Sequence, residues 1–173
     1  MTGAELRPGS GAKSETEPPR PRPPTILQGD RRKAYRPLPP EDRRAALEAG
    51  LAAYARGDFF EAHEFLEPAW MGTPDLAERA LYQGLIKLAA GYVHAFRGNP
   101  VGLVRNLEGA RRHLATSQNL DPGHAFAAGI DLPRLIDEVD LRLTALRAAV
   151  GEMGERPALL LDIAADAPRV RPE

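Results

Sequence analysis

Four histidines and no cysteine leave this chain a narrow choice of side-chain chemistry. Without a thiol there is no disulfide framework, no cysteine nucleophile and no thiolate metal site, so any reactive centre is built from His, Glu and Gln. The densest such cluster is HEFLE, where His63, Glu64 and Glu67 fall on one predicted helix. An imidazole and a carboxylate at i and i+4 sit one above the other, which makes Glu67 the expected partner of His63, with Glu64 pointing further out. On the following helix Gln83, Lys87 and His94 form a narrow polar stripe opposite an apolar face, flanked by Ala80, Ala90 and Gly91. Small neighbours permit close approach by another helix or a ligand. If the two helices pack across that stripe, His63, Glu67, Gln83, Lys87 and His94 converge.

Three chemistries fit that convergence. The plainest is none at all, with the stripe facing solvent and His63 a core histidine satisfied by Glu67. The second is a binding or acid/base pocket in which Glu67 favours the protonated form of His63 and Lys87 supplies charge for a small anionic ligand. The third is a metal centre, and a hydrolase built on it, using His63, Glu67 and His94 with Glu64 as outer base. H-E-x-x-E is not the H-E-x-x-H zinc spacing, so this third reading depends on a ligand from another helix. If His63 is buried against Glu67, its replacement by Ala should cost about 1 to 3 kcal/mol. His113 is expected to face water or cap a helix, and His124 lies in a predicted loop. No nucleotide fingerprint, Walker loop or nucleophile elbow occurs, so the sequence names no cofactor.

Five helices position these groups. Leu47, Gly50, Leu51 and Tyr54 share a face over residues 41 to 56, and Gly57 follows as a stop. Asp58 with Glu61 predicts a capping box for a second helix ending near Trp70. Thr73, Pro74 and Asp75 open a third helix to about Arg97, and Asn99 with Pro100 a fourth to about Ser117. Residues 118 to 130 form a loop, after which Asp131 and Pro133 open a fifth helix with the stripe Leu132, Leu135, Ile136, Val139, Leu143, Leu146 and Val150. The run ALLLDI beyond Gly154 reads as a short strand or extended cover. Arg56-Gly57-Asp58 and Arg97-Gly98-Asn99 echo one another, and the same shift superposes Leu66 on Leu107 and Ala69 on Ala110. The joints look like tetratricopeptide hairpins, but two copies are too few for a solenoid. An all-α closed bundle of two hairpins and a closing helix is the expected fold.

Charge divides the 173 residues unevenly. The whole chain balances 23 Lys and Arg against 24 Asp and Glu. Residues 1 to 40, however, are net +4 and hold nine of the 17 prolines, which leaves the remainder at −5. The run EPPRPRPPT lacks the amide donors a helix or central strand requires. The expected organisation is a disordered arm over 1 to 40, a helical domain over 41 to 151 and an extended segment over 152 to 173. An acidic body disfavours nucleic acid as a partner, and no apolar run is long enough for a membrane span. A cytoplasmic protein with a small anionic ligand or a protein partner, self-association included, is the expectation.

The segments FFEAHEFLEPAW (59 to 70), YQGLIKLAAGYVHAFRGN (82 to 99) and GLVRNLEGARRHL (102 to 114) resemble the small all-helical proteins of domain of unknown function family 309. The resemblance spans about residues 41 to 150 and implies an α-helical bundle. It places His63, Glu64, Glu67, Trp70, Gln83, Gly84, His94, Gly98 and Asn99 at positions of the family pattern. Lys87 and Leu103 depart from it, standing where Gln and Ala are more usual. The first departure puts a cation into the expected pocket, which counts against a metal there. The resemblance implies no particular activity, so whether the domain is an enzyme, a binding module or an interaction scaffold rests on the site.

Overall fold

The structure, a computed structural model, describes residues 25–28, 31–123 and 129–152. His124 and the ALLLDI run lie outside the described residues. Strands β1 (Thr25–Gln28) and β2 (Arg31–Ala34) pair antiparallel, with Thr25 opposite Ala34. Five helices follow: α1 (Pro40–Ala55), α2 (Phe59–Gly72), α3 (Leu76–Phe96), α4 (Pro100–Leu120) and α5 (Leu132–Glu152). The strands and the stretch 35–39 fall inside the segment expected as a disordered arm. That stretch is tied to the bundle, because Arg36 N donates to Met71 O at 3.3 Å and Leu38 N to Gly72 O at 3.0 Å. Gly72 is required at this contact, since a Cβ there would stand 2.5 Å from Leu38 Cβ and 2.7 Å from Arg36 O. Proline removes donors, but the non-proline residues between prolines still have amides to place.

The two hairpin joints are built alike, as the sequence echo implies. Gly57 and Gly98 adopt φ of 84° and 64°, a left-handed conformation that a side chain opposes. Beyond each glycine the next amide reaches back to close the helix end, Asp58 N to Ala53 O at 3.0 Å and Asn99 N to His94 O at 2.9 Å. The caps that start the following helices differ. Asn99 Oδ1 accepts from Gly102 N at 2.8 Å and Asp75 Oδ1 from Glu78 N at 2.7 Å, as expected of N-caps. Asp58 makes no such cap bond. The capping box predicted for Asp58 and Glu61 is replaced by Arg56, whose guanidinium donates to both carboxylates at 3.3 Å.

Helix α3 is the centre of the bundle. Leu81, Leu85, Leu88 and Tyr92 are buried along it, and so are the small residues Gly84, Ala89, Gly91 and Ala95. It packs in sequence order, against α2 on one flank and α4 on the other. The α4 flank runs over glycines: a Cβ at Gly84 would meet Leu114 Cγ at 2.7 Å, and one at Gly109 would meet the stem of Lys87 at 3.2 Å. In α2, Leu66 fills the space left by Gly50 of α1. The α5 stripe from Leu132 through Leu146 is buried as expected and closes the bundle over α4. At the α1–α2 joint, Tyr54, Phe59, Tyr92 and Phe96 stack in a chain with ring centres 5.0 to 6.4 Å apart. Burial pushes the Tyr54 hydroxyl well above its ordinary pKa.

At the opposite end of α3 sits a buried polar knot that the sequence pattern does not reveal. Glu78 is 7% exposed. Its Oε1 accepts from Arg43 Nε and from the Tyr82 hydroxyl, both at 2.9 Å, and its Oε2 accepts from the Thr73 hydroxyl. Arg43 also donates to Leu38 O at 2.6 Å, which links α1, α3 and the docked stretch 35–39. Burial, together with the neighbouring Glu78 carboxylate, raises the Tyr82 pKa. Glu78→Gln keeps the shape but offers one carbonyl oxygen where three donors converge. It should destabilise the fold by about 3 kcal/mol, because Arg43 loses its carboxylate in a buried setting. Urea denaturation of the variant beside the wild type measures this.

Candidate functional site

His63 projects from the second turn of α2, half-buried at 29% side-chain exposure. Ala62 and Leu66 beside it are buried and hold that face of α2 in the core. Its polar partner is not the residue expected from helical spacing. His63 Nδ1 lies 3.1 Å from Glu64 Oε1, on the neighbouring exposed residue, whereas Glu67 is partly buried one turn on. A rim histidine can turn its ring outward to the adjacent carboxylate, so the fully buried His63–Glu67 pair does not form. Donor atoms of His63, Glu64 and Glu67 nevertheless all lie within 4.8 Å of one another. This is the group of metal-ligating type found among the described residues, and His94 is not part of it.

His94 occupies the last turn of α3 and belongs to a local assembly. Asn99 Nδ2 lies 3.1 Å from His94 Nδ1, while the same amide's Oδ1 caps α4 at Gly102. Gly102 is where the chain lets the ring in, because a Cβ there would stand 2.6 Å from His94 Cγ and Nδ1. The H-x-x-R-G-N pattern thus encodes a helix end, a left-handed glycine, a cap and a seated imidazole in six consecutive residues.

His63 and His94 come together across the α2–α3 groove. A cleft of about 190 Å³ is lined by Phe60, His63, Ala90, Val93, His94 and Arg97. It shares Phe60, Val93 and Arg97 with an adjoining hollow over the hairpin joints, where Phe60 and Phe96 are 62% and 60% exposed. Gln83 and Lys87 do not line the cleft, contrary to the expected convergence. Lys87 leans to the other flank of α3, with its stem on Gly109 of α4. There its charge, after burial and together with Arg112, holds the pKa of His113 below its ordinary value. His113, on α4, is half-buried rather than facing water. A stripe 40° wide still has two edges, and which neighbour each residue meets depends on where α2 and α4 sit, not on helical period. The cation the cleft does contain is Arg97, the C-cap of α3, which was not among the residues expected to converge.

With the geometry in place, the likeness to known proteins is limited and specific. Residues 47–106 match the model of the DUF309 family, a domain of unknown function. The DUF309 match runs from the core of α1 through α2 and α3 into the first third of α4, and every residue lining the cleft falls inside it. The end of α4 and all of α5 lie beyond it. No curated protein and no solved structure matches the chain. No helix among the described residues is long and apolar enough to cross a membrane.

The position of His63 changes what its loss should do. With a half-exposed ring bonded to an exposed carboxylate, His63→Ala should cost less than about 1 kcal/mol, below the range expected of a buried pair. Thermal melts of the variant check this, and a loss of several kcal/mol would return His63 to the core.

Proposed function

We propose that the chain is a helical binding module whose site is the α2–α3 cleft, taking a small molecule with an apolar body and an anionic group. The observation that carries this reading is the meeting of His63 and His94 from separate helices in one cleft with Arg97 beside them. Phe60, Ala90 and Val93 supply apolar walls, and the two imidazoles and the guanidinium supply polar groups that can orient a ligand. The anion-recognising role assigned to Lys87 on spacing passes to Arg97, which lies where a carboxylate or phosphate would be met. Benzoate is a suitable probe, titrated into the full-length protein with amide chemical shifts as the readout. Shifts should centre on Phe60, Val93 and His94, and Arg97→Ala should weaken binding by roughly three- to tenfold. Benzamidine, of the same shape and opposite charge, should not bind. Equal binding of both probes, or of neither, rejects the reading.

A second reading is favoured by the close grouping of His63, Glu64 and Glu67. His63, Glu64 and Glu67 would hold a divalent cation, which would supply the Lewis acidity to polarise a water or an ester as in a hydrolase. Calorimetric titration with Zn²⁺ and Mn²⁺ should then give one site per chain that is lost in both His63→Ala and Glu67→Gln. Binding that survives both substitutions excludes this group as the ligand set.

A further inference from the structure

A neutral imidazole carries one N–H and one lone pair, and whatever its first nitrogen bonds to decides which of these the second nitrogen presents. The two cleft histidines have opposite partners. For His94 the partner is the side-chain amide of Asn99, whose orientation is settled by its other atom. Oδ1 accepts the Gly102 N–H at 2.8 Å, so Nδ2 is the atom 3.1 Å from His94 Nδ1, and Nδ2 only donates. His94 Nδ1 therefore accepts, and the ring proton sits on Nε2. For His63 the partner is Glu64, whose ionised carboxylate only accepts, at 3.1 Å from Nδ1. His63 Nδ1 therefore carries the proton, and Nε2 presents its lone pair. Among the described residues neither Nε2 has a hydrogen-bond partner, and neither is sealed from solvent.

We propose that Asn99 and Glu64 are positioning residues that set His94 and His63 in opposed tautomers, making the cleft a matched donor and acceptor pair beside Arg97. The ligand class follows, resting on the cleft being the binding site. It is a small apolar molecule bearing a carboxylate with a hydroxyl on the adjacent carbon. Arg97 meets the carboxylate, His94 Nε2–H donates to a ligand oxygen, and His63 Nε2 accepts the hydroxyl proton. Phe60 and Val93 cover the apolar body. A carboxylate without the hydroxyl leaves the His63 lone pair unmatched, and a buried unmatched acceptor lowers affinity.

The test reads tautomer and ligand preference separately. Two-bond ¹H–¹⁵N imidazole spectra of the full-length protein at about pH 8, above the ordinary histidine pKa, are assigned with His63→Gln and His94→Gln. They should show the proton on Nδ1 of His63 and on Nε2 of His94. Asn99→Asp keeps an N-cap acceptor for Gly102 but replaces the donor facing His94 with a second acceptor, so His94 should move to the Nδ1–H form. Glu64→Gln, at an exposed position, should release the His63 preference without affecting the fold. Mandelate should bind the wild type about tenfold tighter than benzoate, and this preference should vanish in Asn99→Asp and Glu64→Gln. Identical tautomers in the two rings overturn the proposal, as does equal affinity for the two acids or a preference that survives both variants. If the tautomers are opposed but neither acid binds, the cleft reading falls and the ligand class with it.

Discussion

Everything in this bundle depends on how closely α4 can approach α3. Gly84 and Gly91 on α3 and Gly102 and Gly109 on α4 remove side chains from the seam, and Leu114, Leu107, Lys87 and His94 fill the space from the facing helix. Close packing of this kind gains dispersion contacts along the whole seam and leaves no room for a single added carbon where the separations fall to 2.7 Å or less. The seam also aims side chains. It holds Lys87 on the α4 flank and seats the His94 ring against Gly102, from where the ring also lines the cleft with α2.

The two ends of α3 divide the labour of the molecule. At its N-terminal end a carboxylate is buried and fully partnered, with Arg43, Thr73 and Tyr82 converging on Glu78 and the docked stretch 35–39 held by the same arginine. Such a knot orients elements relative to one another, because its groups tolerate only one arrangement in which all are satisfied. At its C-terminal end the polar groups are left open. His63, His94 and Arg97 line an open cleft beside exposed Phe60 and Phe96. The satisfied cluster serves the fold, and the open one is where function is proposed.

Much of the site's local chemistry was legible in residue order. The left-handed glycines at 57 and 98, the caps at Asp75, Asn99 and Asp131, and the buried stripe of α5 all follow from spacing. A meeting of His63 with His94 depended in the sequence on α2 packing across the polar stripe of α3, a condition residue order does not settle; both side chains line the α2–α3 cleft. Spacing failed where a residue had more than one neighbour to choose. Glu64 rather than Glu67 meets His63, Lys87 goes to α4, and Arg97 takes the place expected of that lysine. Glu78 carried no signal at all, because an acid in the first turn of a helix is ordinary there whether it is buried or exposed.

By itself, then, the sequence determined the elements and their joints, because helical period, glycine conformation and capping are properties of a few consecutive residues. It also determined that no thiol takes part in any reactive centre here, since the chain has no cysteine. Only the tertiary structure decided which of two helices each edge of α3 would face, which nitrogen of each imidazole would be engaged, and which cation would stand in the cleft. Those outcomes depend on the distances between helices, and the distances are set by glycines and leucines at the α3–α4 seam rather than by the polar residues whose positions they decide.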